Sequence, residues 1–242
     1  MNNYKLLIQY DGTNYSGWQI QQNSNSVQQE ITDAIGTITT EKINLIGSGR
    51  TDAGVHAFGQ SANFRIEQDL EPYRFLYSVN SILPKDISIL KMEKAADDFH
   101  ARFDARLRSY LYFFIDHKSP FYYRFACLYK KKVNLDKLNR VSKELIGNND
   151  FAAFAKKMKD TENTNCNIQN IHWKKSKGMI IFLIEADRFL HGMVRTIAGT
   201  ILDVYDNKKE LKSLKEILMS KNRSEAGMSL PPNGLFLYKV KY

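Results

Sequence analysis

The stretch Gly47-Ser-Gly-Arg-Thr-Asp-Ala-Gly-Val-His-Ala57 gathers residue types that could act on a substrate. An aspartate, Asp52, sits at its centre, with Arg50 two positions earlier and Thr51 between them. A carboxylate works as a nucleophile or electrostatic stabiliser when charged, and a neighbouring guanidinium favours that form. Gly47, Gly49 and Gly54 permit backbone angles and close approaches that present a side chain to a ligand. The same residues also suit an ordinary strand-connecting loop, with Asp52 in an Asx turn and Arg50 in solvent. The loop alone does not decide between the two.

Other candidates are weaker by themselves. Tyr110 and Tyr112 alternate with Leu111, so both point to one face of a strand, where core packing is the default. Arg195 falls on an apolar helix pattern, with Gly192 and Gly199 allowing another backbone to come close. An arginine in so packed a place needs a carboxylate partner, and Asp52 is the candidate. Of five histidines none has a second ligand at metal spacing, so no metal is expected. Cys127 and Cys166 are far apart and read as buried or incidental thiols. No Walker loop or dinucleotide fingerprint occurs, so no cofactor is expected either.

The elements that must position these residues follow from periodicity. Tyr4–Tyr10 reads as a strand ending at the Asp11-Gly12 turn signal. Ser26-Val-Gln-Gln29 has the capping-box pattern, and Val27, Ile31, Ala34, Ile35 and Ile38 follow at helical spacing. Ile43–Ile46 and Gln60–Phe64 read as strands joined by the glycine-bearing loop. Pro72 opens a second helix through Phe75, Leu76 and Val79, and Ile87–Met92 returns as a strand. The rhythm then repeats: a strand at Arg108–Ile115, and a helix through Leu135, Leu138, Val141 and Leu145 capped by Gly147. A strand pair at Ile171–Lys175 and Met179–Glu185 follows, then a helix from Leu190 to Ile201, another through Leu211–Leu218, and a last strand at Leu235–Tyr242. Polar Lys156–Asn167 reads as a surface loop or insertion. The expected class is α+β: two similar mixed α/β halves, 1–105 and 106–242, sharing a largely antiparallel central sheet.

Composition fits that class and points to a partner. Hydrophobic residues are 43% and charged residues 25% of 242, as in ordinary globular chains. Apolar runs such as Met179–Ile184 are far too short to span a bilayer, and Met1–Lys5 leads into a strand without a signal-peptide pattern. A cytoplasmic location is therefore expected. The net charge of +9 is uneven: residues 122–242 hold 23 of the 35 basic residues, against 12 of the 26 acidic ones. Clusters such as Lys130-Lys131-Lys132 and Lys174-Lys175-Ser176-Lys177 are the footprint of a polyanion-binding surface, although lysines also serve plain solubility.

Read with the rest of the chain, Gly49–Ala57 followed by Gly59-Gln60 resembles the signature of the bacterial tRNA pseudouridine synthase A family. Family-like segments recur in the same order at Tyr10–Gln19, Asp98–Phe103, Arg108–Tyr112, Gly147–Phe151, Phe189–Thr200 and Gly234–Tyr242. The resemblance implies the pseudouridine synthase fold and a cofactor-free isomerase. It implies action on uridines at positions 38 to 40 of the tRNA anticodon arm, by a homodimer. Asp52 matches the family's catalytic aspartate, Tyr110 the tyrosine packed against the target base, Arg195 the arginine paired with the aspartate, and Arg50 the arginine linked to unstacking the nucleotide. The chain departs from the pattern at Ala186-Asp187-Arg188, in the loose Ser229–Gly234 segment and around Asn163–Asn167. His56 and His100 are expected to be structural or RNA-contacting, and Trp18 either core or an RNA contact. Three uses of the carboxylate stay open: attack at C1′, attack at C6, or assistance through a glycal. The competing reading is a tRNA-binding protein or chaperone without chemistry, or a related synthase with another RNA target.

Overall fold

Alternation of apolar and polar residues makes β1 (Asn2–Tyr10) a strand with Tyr4, Leu6, Ile8 and Tyr10 buried on one face. The computed structural model describes residues 1–156, 163–206 and 213–242. They form two compact units, one of Met1–Arg106 with Phe236–Tyr242 and one of Leu107–Leu235.

In the first unit the chain runs through α1 (Val27–Thr39), β2 (Ile46–Gly47), β3 (His56–Ile66), α2 (Pro72–Ile82) and β4 (Ile87–Lys94). β1 pairs antiparallel with both β3 and β4, and the short β2 pairs with β3. Ser26 caps α1, its side chain accepting from Gln29 N at 3.3 Å, but the Gln29 side chain turns to Asp33 Oδ1 at 2.7 Å, so only half of the expected capping box forms. Val27, Ile31, Ala34 and Ile35 are all buried, and truncating Ile31 to alanine should cost about 2–5 kcal/mol. α1 ends on Thr40 in the left-handed region (φ 56°). Pro72 starts α2, whose first amides donate to the Glu71 carboxylate at 2.9 and 2.6 Å.

The second unit holds β5 (Leu107–Ile115), β6 (Cys127–Leu128), α3 (Leu135–Ser142), β7 (Gly147–Asp150), β8 (Asn165–Ser176), β9 (Met179–Ala186), α4 (Met193–Tyr205) and α5 (Leu214–Ser220). Its strands run in the order β5-β9-β8-β7, antiparallel throughout, with β6 lying parallel to β5. Rings of Tyr112, Phe114, Trp173 and Phe182 pack in series at 4.6–5.6 Å, and Trp173 Nε1 donates to Ser142 Oγ at 2.8 Å. The last strand, β10 (Leu235–Lys241), joins the first unit through Phe236 and Leu237, which pair parallel with His56 and Ala57 of β3. The α+β class read from the sequence is the class found.

Several local expectations change. Ile43–Ile46 is not a strand as a whole: only Ile46 and Gly47 pair. α3 stops at Ser142 and tightens into a 3-10 turn, so Gly147 (φ 109°) opens β7 instead of capping the helix. Asn165–Asn167, read as loop, is strand, because β7 supplies it with backbone partners. α4 begins at Met193 rather than Leu190, with Gly192 at φ 69° before it. Residues 157–162 of the polar segment and Leu211 lie outside the described residues.

Candidate active site

The loop that carries Asp52 is rooted in the first unit by a second segment of family-like sequence. Val55 N donates to Asp52 O at 3.1 Å, closing a tight turn whose third residue, Gly54, has φ 74°. A positive φ at that place is what makes a glycine necessary. Asp52 thus occupies the first corner of the turn, half-buried, with Thr51 buried before it.

Tyr10–Gln19 runs as a strap beneath this turn. Trp18 N donates to Thr51 O at 3.1 Å, and Gly54 N donates to Tyr15 O at 3.3 Å. The Tyr10 hydroxyl and Thr51 Oγ1 are hydrogen-bonded at 2.8 Å in a buried position. Gly17 lets the strap come so close: it has φ 103°, and a Cβ there would stand 2.4 Å from Thr51 O. The Trp18 indole is buried against Gly47, which makes Trp18 a core residue rather than an RNA contact.

The flanks of the loop are tied as firmly. Gln60 is wholly buried in the middle of β3; its Oε1 accepts from Ser48 Oγ (2.6 Å) and Ser61 N (3.1 Å), while its Nε2 donates to Gly49 O (3.0 Å). A single amide therefore holds both sides of the entry to the loop. His56 is also buried, with Nδ1 3.0 Å from Gly12 N and from Asp11 Oδ1, and its ring stacked on Phe236 at 4.5 Å. His100 Nδ1 accepts from Arg102 N and Phe103 N. Both histidines serve the structure.

Arg50 is exposed, and its Nε donates to Gln19 Oε1 at 3.2 Å. Gln19 Nε2 donates in turn to Gln28 Oε1 (2.9 Å), and Gln28 Nε2 to Leu45 O (2.7 Å). This amide relay from α1 to Arg50 escaped the sequence reading. Three residues scattered over the chain become neighbours only once α1 docks.

In the second unit Tyr110 lies on β5, 8% exposed, with Phe189 edge-on to it at 5.1 Å and 88°. Phe189 is a neighbour that periodicity did not single out. Tyr112, on the same face, is fully core; its hydroxyl donates to Pro231 O at 2.6 Å, and burial holds its ionisation far above the ordinary phenol range. Arg195 sits half-buried in the first turn of α4, where its carbonyl accepts from Leu230 N at 3.2 Å. The close approach expected near it is real at Gly199, where a Cβ would lie 2.1 Å from Met228 O; Gly192 has open space and supplies only its backbone angle. Asp52 and Arg50 thus share one loop of the first unit, and Tyr110 and Arg195 belong to the second. Among the described residues no group of three His, Cys, Asp or Glu side chains could hold a metal ion.

An α+β chain that roots a half-buried carboxylate in so constrained a turn has the rigid support that a functional site needs. A family model described as tRNA pseudouridine synthase matches residues 6–104 and 141–242, and the chain belongs to that family of uridine-isomerising enzymes. It is 41% identical over 99% of its length to "tRNA pseudouridine synthase A" of Brachyspira hyodysenteriae, covering 98% of that protein. It is also 41% identical to the protein of that name from Caldicellulosiruptor bescii, with both chains covered in full, and 38% identical to the Bacteroides thetaiotaomicron one over 100% of this chain and 91% of that one. Among solved structures, a chain of "Crystal Structure of a Cbf5-Nop10-Gar1 Complex" shows a distant likeness, 12% identical with a TM-score of 0.35 over 82% of this chain and 53% of that one. Among the described residues no helix is long and apolar enough to cross a membrane.

Proposed function

We propose that this tRNA pseudouridine synthase acts on uridines at positions 38 to 40 of the anticodon arm, with Asp52 as its catalytic carboxylate. The observation that carries the assignment is the anchoring of the Asp52 turn by Tyr10, Tyr15, Trp18 and Gln60, which fixes a half-buried acid in place before substrate arrives. In the reaction the bond from ribose C1′ to N1 breaks, the uracil turns while still enclosed, and C1′ bonds to C5. The C5 proton is lost and N1 gains one. In the route we favour, Asp52 takes the C2′ proton as uracil leaves and returns it when the new bond forms; attack at C1′ or at C6 are the other two. The target must leave its stack for any side chain to reach it. Arg50 is assigned to holding the vacated position, Tyr110 to packing on the base, and Arg195 to pairing with Asp52.

The working form in this reading is a homodimer in the cytoplasm, which gathers the basic surface of two chains on one tRNA. Equilibrium sedimentation showing only monomer at working concentration would count against the dimer.

The deciding experiment is tritium release from tRNA labelled at C5 of uridine, with wild type and Asp52→Ala side by side. Wild type releases label and the variant binds tRNA without releasing any. Full turnover by Asp52→Ala would remove Asp52 from its role. Tight binding by a wild type that releases nothing would favour a binding protein without chemistry.

A further inference from the structure

Between β5 and β6 the chain makes a loop that the catalytic assignment does not use. It carries Phe121-Tyr122-Tyr123-Arg124, with Phe121 82%, Tyr122 44% and Tyr123 58% exposed. Three consecutive rings facing water are not there for want of order in the loop. Asn233 Nδ2 donates to Tyr123 O at 2.7 Å and to Ala126 O at 3.1 Å, Phe125 N to Tyr122 O at 2.9 Å, and Phe121 N to Ser119 Oγ at 3.3 Å. Ser119 and Ala126, at the ends of the turn, are buried. The backbone is tied down and the rings are displayed.

We propose that the loop Lys118–Arg124 is a stacking platform for unpaired nucleobases of RNA; the choice of RNA rests on the proposed function. Stacking tolerates any base, since every base offers a π-face, but a paired base within a duplex has both faces covered. A loop whose backbone is fixed in advance loses little backbone freedom on binding. Arg124 is already set against one of the rings: its Nε donates to the Tyr123 hydroxyl at 2.9 Å and its guanidinium carbon lies 5.6 Å from the Tyr123 ring centre. The guanidinium puts a positive charge beside the ring that a base would stack on.

Charge selects nucleic acid as the occupant. Lys118 and Arg124 lie within the loop, and Tyr129 N donates to Ile115 O at 2.8 Å, which brings Lys130-Lys131-Lys132 to the strand end from which the loop departs. Of the acids near it, Asp206 is paired with Lys131 at 2.6 Å, so the cluster's attraction for phosphate rests on Lys130 and Lys132, and Asp116 is hydrogen-bonded to His117 at 2.8 Å. Tyr73 and Tyr77 on α2 are as exposed, at 79% and 74%, but they follow Glu67, Asp69 and Glu71, which would repel phosphate.

The test uses the whole protein, fluorescence anisotropy, and two labelled RNAs: a hairpin with an unpaired loop and the same stem as a blunt duplex. F121A/Y123A should bind the hairpin roughly five- to hundredfold more weakly and the duplex as wild type does, with melting and sedimentation unchanged. Arg124→Gln should lower the salt slope of hairpin binding by about one. Unchanged hairpin affinity in F121A/Y123A overturns the proposal. So does a shift from dimer to monomer in that variant, which would place the rings against a second copy. Tritium release by wild type, run in parallel, separates the two levels. Turnover with unaltered ring-variant binding sinks only the platform, whereas absent turnover with lost hairpin binding sinks only the catalytic reading.

Discussion

Tyr10 and Thr51 share a buried 2.8 Å hydrogen bond directly behind Asp52, the proposed catalytic carboxylate. The bond joins the end of β1 to the residue before Asp52, so it fixes where the turn begins. Thr51→Val keeps the shape and removes the hydroxyl. It should cost about 0.5–1.5 kcal/mol in urea unfolding and lower kcat more than it raises KM. An unaltered kcat would show that the bond supports the fold alone.

Gly17 gives a harsher test of the same strap. Gly17→Ala meets both a backbone angle that L side chains rarely adopt and the Thr51 carbonyl. The expected loss is about 1–3 kcal/mol from the backbone angle, and more if the strap cannot move aside. Trp18 follows directly and donates to that carbonyl, so its fluorescence should shift to the red in the folded variant. Wild-type stability with unshifted emission would disprove the close approach.

The relay from Gln28 through Gln19 to Arg50 predicts coupling without a stability change. Gln19→Ala and Arg50→Ala should each raise KM for tRNA, and the double variant should be little worse than the poorer single one. Fully additive effects would mean that Gln19 does not orient Arg50.

Cys166 offers a chemical probe of the second unit. Burial, reinforced by Asp187 and Asp150 against the opposing pull of Arg188, pushes its thiol from 9.0 up to about 12. The folded state therefore keeps the thiol neutral where the unfolded chain would ionise. Its stabilising contribution is complete below pH 9 and drains away as pH rises towards about 12. At pH 8 iodoacetamide should leave Cys166 unmodified until urea unfolds the protein, and Cys166→Ala should flatten the alkaline limb of the stability curve. Rapid labelling of the native thiol would contradict the burial.

What the sequence disclosed was largely what local physics decides. The Ser26 cap, the Pro72 start and the alternation along β1 depend on residues within a turn or two of each other, and all are found. Misreadings cluster where a distant partner decides. Ile43–Ile46 is apolar enough for a strand, yet β3 offers a register only to Ile46 and Gly47. Asn165–Asn167 is polar enough for a loop, yet β7 recruits it. At the site, the type and spacing of Gly49–Ala57 stood out. The strap below it did not, because Gly17 and Trp18 reach Thr51 only through the fold, and nothing in a tryptophan's own neighbourhood says whether it faces core or ligand.

Strand β10 has a consequence for how the enzyme is made. His56 and Ala57, directly after the Asp52 turn, are paired with Phe236 and Leu237, and the Phe236 ring lies under His56. Those partners leave the ribosome only after all of Leu107–Leu235 has been synthesised, although domains commonly begin folding from the N-terminus. A nascent chain that has already exposed Asp52 lacks the strand that closes its sheet. Chains cut short before Phe236 carry Asp52 on an unfinished scaffold, so turnover in a cell reports translation carried through to the final strand.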